Sequence, residues 1–346
     1  MDIEKKSVRI IEIDIAKGIG ILLTIIGHST LWETPSHNFI YAFHMPLFFF
    51  LSGLVMKDFS FCTIKRECQK LLANYLIWSL LFFLFDVLFN ISNMPGKGAT
   101  VLSCLILTFT FWGISVLWFL PSLLLAKLLV FFIRKVSSAF IFQLCILLCF
   151  VLIALYSKQF IIGWNSSPNH YRQVIYYGMG TLIRAVILTP FTFVGIYSQL
   201  ILRKILQLSR HISFCISLAF FTVVFICSQF MGRIDLHVLD YSFYPAFVLV
   251  ALLGCYGTVL FSHTLSKSDF FSPVFINLGQ NSLFIMATHN YFFVPDSAIF
   301  LLALFHIHNS MLYSAFYYML LLCIEFILIR FLAPFINYTV SLLYRK

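Results

Sequence analysis

Residues 11–29 read IEIDIAKGIGILLTIIGHS and residues 38–56 read NFIYAFHMPLFFFLSGLVM. Each approaches the ~20 apolar residues that one helical crossing of a bilayer needs. A short polar stretch joins them, so the pair reads as a membrane hairpin. Working outward, runs of the same kind near 71–90, 114–133, 139–157, 183–202, 212–231, 243–262, 275–295 and 310–333 predict about ten transmembrane helices, with both termini cytoplasmic. The expected fold is an all-α, polytopic integral membrane protein. Helix is expected over barrel because these runs are long and continuous, not short and alternating.

Composition points the same way. Of 346 residues, 61% are hydrophobic and 10% charged, with 42 Phe, against about 25% charged in soluble domains. A soluble enzyme and a disordered chain are both excluded. The net charge of +10 would suggest nucleic acid for a soluble protein. Here the cations, such as Lys65, Arg66 and Lys70, Arg134 and Lys135, or Arg203 and Lys204, fall in alternate connections. That is the positive-inside bias, so the bilayer is the expected partner and nucleic acid is not. It also predicts that His37 and Trp164 face outward. The cysteines lie mostly in apolar runs without a C-x-x-C pair and read as small core residues. Residues 101–113 and 297–307 are read as interfacial or re-entrant. Pro46 opens the second span, and Pro121, Pro190 and Pro334 predict kinks. The first run holds Asp14 and Lys17 and lacks a small-x-small cleavage site, so a retained span is expected, not a signal peptide. No linker divides the chain, and a single domain over 1–346 without a soluble extracytoplasmic part is expected.

Ionisable residues inside such spans cost roughly 2.5–3.5 kcal/mol each and need a partner or a task. Asp14 and Lys17 are three apart on one helix face, which suits an intrahelical ion pair. Lys127 and Arg330, near inner span ends, are expected to snorkel. Arg184, placed near the outer start of its span, serves either anchoring or substrate contact. His28 follows Asp14 by about 21 Å of helix, near the outer end of the first span. His44 opens the returning span, and His289 lies in the outer half of the ninth, so the three share a depth and suggest a site. Interfacial histidine without chemistry is the competing reading. A metal centre is disfavoured, since no pair has i, i+3 or i, i+4 spacing. A neutral imidazole there suits a general base or transient nucleophile acting with a hydroxyl acceptor. Lys65, Arg66 and Lys70, in the connection KDFSFCTIKRECQK, can capture phosphates of a cytoplasmic cofactor or merely set topology.

Five strings carry a family resemblance. DIAKGIGILLTIIGHS at 14–29, FHMPLFFFLSG at 43–53, WFLP at 118–121, PFTFVG at 190–195 and LGQNSLFIMATH at 278–289 together resemble the membrane acyltransferase type 3 family. The resemblance implies transfer of an acyl group, most often acetyl from acetyl-CoA, to hydroxyls of surface or secreted carbohydrates. It implies a catalytic role for His28, with His289 as the family's late histidine. Acyl-CoA is then a donor substrate and no cofactor is bound permanently. Many members carry an R-x-x-R motif after the second span, thought to help bind acyl-CoA. Here Glu67 and Lys70 occupy those positions and Arg66 is displaced by one, so Lys65, Arg66 and Lys70 are the candidates for donor binding. His44, Arg184 and Asn281 are candidates for substrate binding. Many members also carry a fused extracytoplasmic domain that completes transfer. Without one, this chain is expected to deliver the acyl group itself or hand it to a separate protein.

The leading expectation is an O-acetyltransferase of the bacterial cytoplasmic membrane, acting on a cell-surface polysaccharide or its lipid-linked precursor, with polysaccharide-synthesis machinery as a further partner. A glycan or solute exporter without chemistry is the competing class, since broken helices and intramembrane charges suit a transporter. A structural subunit of a synthesis complex would leave His28 without a task.

Overall fold

The computed structural model describes residues 9–29, 34–56, 58–90, 97–162, 170–241, 243–304 and 310–344. Trp164, His306 and His308 lie outside them. The described chain is all-α. In order it forms α1 (Ile11–Ser29), α2 (Pro35–Tyr41), α3 (His44–Leu54), α4 (Phe61–Phe85), α5 (Lys97–Phe109), α6 (Phe119–Val136), α7 (Phe140–Ile162) and α8 (His170–Tyr197), followed by α9 (Gln199–Ile205), α10 (Arg210–Gln229), α11 (Tyr244–Leu265), α12 (Phe271–Gln280), α13 (Ser282–Thr288), α14 (Val294–Leu304), α15 (Ser310–Phe331) and α16 (Ala333–Leu342). Among the described residues seven helices are long and apolar enough to cross a membrane.

Three of the expected spans take another form. The first, α1, carries Glu12, Asp14 and Lys17 in its first two turns. The second breaks at Ala42 and Phe43 into α2 and α3, so that His44 starts a new helix. The ninth breaks at Asn281, whose φ of −103° and ψ of 12° end α12 and begin α13. Breaks of this kind at membrane depth are tolerated where the backbone lines protein or a cavity.

Small residues set how closely these pieces pack. A Cβ at Gly279 would run into the Asp14 carbonyl, and one at Gly18 into the Phe275 carbonyl, so α1 and α12 can touch only through glycine. Gly53 and Gly195 bring α3 and α8 together in the same way. Without a hydrophobic driving force inside lipid, such close backbone approach is the main source of helix affinity. As a result α1 sits centrally against α3, α11, α12 and α13.

Several local expectations need correction. The basic stretch after the second span is mostly helix: Ser60 caps α4 by accepting from Thr63 N at 3.3 Å, and Asp58 accepts from Ser60 and Thr63 hydroxyls. Hydrogen bonds from Thr63, then Ser60, hold the exposed Asp58 carboxyl below its usual range. Lys65, Arg66 and Lys70 therefore stand on the first turns of α4, not in a loop. The sixth span starts at His170, so Arg184 lies mid-helix in α8, not at its outer end. Lys127 does not snorkel, because Glu67 on α4 supplies an ion-pair partner. Asp14 takes its ion pair from Arg9, which precedes the helix, and Lys17 turns to a neighbouring cavity. His37 is 1% exposed and stacks on Tyr41 at 3.9 Å, instead of standing free on the outside. Pro334 opens a separate helix, while Pro190 lies inside α8, where Tyr244 Oη donates to the Ile187 carbonyl at 2.6 Å.

Candidate active site

The three histidines converge because three helix ends do. His28 is in the last turn of α1, His44 is the first residue of α3, and His289 caps the C-terminus of α13. The His28 and His289 rings meet edge-on with centroids 5.1 Å apart. Tyr41 lies 6.4 Å from His28 and 4.8 Å from His44, ring to ring. His44 and His289 are each 2% exposed, whereas His28 is open to the chamber.

Helix geometry sets the proton positions. His44 Nδ1–H donates to the Ile40 carbonyl and His289 Nδ1–H to the Ile285 carbonyl, both at 2.9 Å. A carbonyl can only accept, so each ring keeps an Nε2 lone pair. His289 Nε2 is buried with no hydrogen-bond partner among the described residues. On α15, Glu325 is 0% exposed, and both its carboxyl oxygens lie within 2.9 Å of Thr288 Oγ1, one residue from His289. Among the described residues no group of three His, Cys, Asp or Glu side chains is placed to hold a metal ion.

His28 and His44 face a chamber of about 230 Å³ lined also by Thr24, Tyr41, Trp118 and Met286, and roofed by Asp235, Leu236 and His237 from the connection between α10 and α11; His289 stands behind His28, outside the lining. Burial, then the Arg184 charge, pushes the His237 imidazole down to about 4, so it is neutral at pH 7.

A second cavity of about 450 Å³ begins at the other end of α1. Its cations are Arg9, Lys17, Lys70 and Lys127, with Asp14 and Glu67 interspersed. Thr24, Met45 and Met286 line both cavities and form the partition between them. Along α1, Lys17 and His28 are eleven residues, roughly 16 Å, apart. Thr24 and two flexible methionines are thus all that stands between the cations and the histidine chamber.

The remaining candidates separate. Lys70 lines the basic cavity, but Lys65 and Arg66 are exposed on α4 outside its lining. Asn281 lines a third cavity of about 520 Å³, which joins the basic one at Lys70, Gln280 and Leu283 and not the histidine chamber. Arg184 is 0% exposed behind the chamber wall. Sequence reasoning passed over Glu325, although one acid within the apolar run of α15 is the kind of signal that marks a functional position. Lys17 and Lys127 stand out in the sequence only as an ion-pair member and a snorkelling cation, and their place with Arg9 around one cavity is not foreseen there, because only tertiary packing gathers them.

The acyltransferase domain model Acyl_transf_3 matches residues 10–330. The nodulation protein NolL of Mesorhizobium japonicum (strain LMG 29417 / CECT 9101 / MAFF 303099) is 37% identical over 92 residues, covering 21% of this chain and 25% of that protein, so the chain spans about a quarter of the length of the curated relative it matches. No solved structure matches. The family match takes in every helix of the site, from α1 through α15, and the chain belongs to the membrane acyltransferase type 3 family.

Proposed function

We propose that the protein is an O-acetyltransferase that moves acetyl from cytoplasmic acetyl-CoA to a sugar hydroxyl of a bacterial cell-surface polysaccharide or its lipid-linked precursor. The observation that carries this reading is the pair of cavities meeting at Thr24, Met45 and Met286, with cations on one side and His28 with His44 on the other. In this reading both termini are cytoplasmic and the basic cavity opens to that side. Lys17, Lys70 and Arg9 hold the CoA phosphates, and Lys65 and Arg66 draw them in from the membrane surface. The pantetheine arm threads past the methionines and presents its thioester to the chamber.

His28 then acts as general base. It takes the proton of the acceptor hydroxyl as that oxygen bonds to the thioester carbonyl carbon. The C–S bond breaks, and the CoA thiolate leaves and regains the proton through His28. His289, edge-on to His28 with a free Nε2, keeps the imidazole aligned. The chain acts in the bacterial cytoplasmic membrane beside polysaccharide-synthesis machinery. Purified protein incubated with acetyl-CoA and host glycan tests the reading: free CoA and acetylated glycan should appear together, and neither should appear with His28→Ala. An exporter would move glycan without consuming acetyl-CoA.

A further inference from the structure

The roof of the histidine chamber is built with more care than a surface connection requires. Asp235 and Asp240 exchange backbone hydrogen bonds at 2.6 and 2.9 Å. Gly232 and Leu239 take left-handed backbone conformations that close the loop around that bridge. Asp235 accepts from the His237 amide at 3.0 Å and from Arg233 at 3.2 Å. Tyr241 Oη donates to the Ala154 carbonyl at 2.7 Å, tying the loop to α7.

Arg184 fastens it from below. Its guanidinium donates to the His237 carbonyl at 2.5 Å and the Trp112 carbonyl at 3.4 Å, and lies 4.2 and 4.9 Å from the Trp112 and Trp118 ring centroids. A fully buried cation is costly unless its charge is met, and here backbone carbonyls accept from Nη1 and Nη2 and two indole faces flank the guanidinium, while Nε has no hydrogen-bond partner among the described residues. Arg184 itself does not line the chamber, so it is a positioning residue. Asp235, His237 and Trp118 line the chamber, and the His237 and Trp118 rings are near-parallel with centroids 6.0 Å apart. His237 Nε2 is buried without a hydrogen-bond partner among the described residues.

We propose that loop 231–241, held by Arg184, is the acceptor-recognition element, with Asp235 accepting hydrogen bonds from the hydroxyls of one sugar ring seated against Trp118. The inference rests on the acyl-transfer reading and adds a substrate class. A carboxylate and an aromatic face suit a neutral sugar. Among the described residues no Lys or Arg lines the chamber, so a sugar acid would find no lining cation to receive its carboxylate, and Arg233 is already paired with Asp235. The hydroxyl not engaged by the roof is the one left facing His28.

The test uses the full chain in lipid nanodiscs, with radiolabelled acetyl-CoA as donor and the methyl glycosides of glucose, galactose, N-acetylglucosamine and glucuronic acid as acceptors. The wild type should label at least one neutral glycoside and discriminate against the glucuronide. Asp235→Asn should raise the KM for that neutral glycoside at least tenfold, narrow the gap to the glucuronide and leave the acetyl-CoA KM unchanged. Arg184→Gln should raise the same acceptor KM and speed amide exchange within 231–241. If Arg184→Gln fails to insert, Asp235→Asn carries the test alone. His28-dependent CoA release with an unchanged glycoside KM in Asp235→Asn, with no neutral glycoside labelled, or with the glucuronide preferred, overturns the acceptor assignment only. Absence of His28-dependent CoA release from the wild type overturns the acyl-transfer reading itself, and this inference with it.

Discussion

His28 and His289, from the first and thirteenth helices, meet edge-on with ring centroids 5.1 Å apart. Because His289 Nδ1–H is committed to the Ile285 carbonyl, its only free ring nitrogen is Nε2. The ring is therefore a fixed neighbour to His28. His289→Ala should lower kcat by about 10-fold or more, less than the ~10²–10⁴-fold typical for loss of the base itself, with the acetyl-CoA KM unchanged. An unaltered kcat in a stably inserted variant contradicts the pairing.

Glu325 supports the same ring at one remove, through Thr288. Glu325→Ala should lower both melting temperature and kcat, since a buried polar group losing its partner costs about 1–3 kcal/mol. Glu325→Gln, which keeps an acceptor for the Thr288 hydroxyl, should recover most of each. Thermal unfolding and turnover measured on both variants check this, and equal loss in both would point to a role for the charge itself.

On the donor side, Lys17→Gln and Lys70→Gln should each raise the acetyl-CoA KM about tenfold or more, since a charge-assisted hydrogen bond is worth ~1.5–3 kcal/mol. The acceptor KM should stay constant. Lys65→Gln and Arg66→Gln, exposed on α4, should have smaller effects that vanish at high salt. A larger effect from Lys65 or Arg66 than from Lys17 would move the donor site to the surface of α4.

Much of this arrangement is legible in the amino-acid sequence. Long apolar runs gave helices, and the shared depth of His28, His44 and His289 anticipated their meeting, because depth in a membrane follows directly from residue count. Partners across helices were not legible. Arg9 takes Asp14, and Glu67 takes Lys127 sixty residues away, because packing brings side chains together that spacing cannot relate. The breaks before His44 and at Asn281 were hidden for a similar reason: neighbouring helices satisfy backbone groups that an isolated span would have to pair internally.

The His237 imidazole, held at about 4 by burial and Arg184 despite the opposing Asp235 charge, gives the roof a pH dependence. The closed loop keeps the ring neutral, while an opened loop exposes it at its usual value near 6.5. Opening therefore becomes easier as pH falls below 6.5 and should be favoured by ~1–2 kcal/mol more at pH 5 than at pH 7. Amide exchange across 231–241, corrected for intrinsic rates, should rise accordingly at pH 5. His237→Gln should remove the dependence, and a flat profile in the wild type would contradict it.

The central claim is that one acetyl group passes from the basic cavity to His28 through the partition at Thr24, Met45 and Met286. Its most direct measurement is acetyl transfer from acetyl-CoA to host glycan by the reconstituted chain, comparing wild type with His28→Ala and with Met45→Trp. The account predicts that His28→Ala loses about 10²–10⁴-fold in transfer while still binding acetyl-CoA, and that Met45→Trp binds acetyl-CoA but cannot pass the acetyl group. Near-normal transfer by either variant, stably inserted, would contradict it.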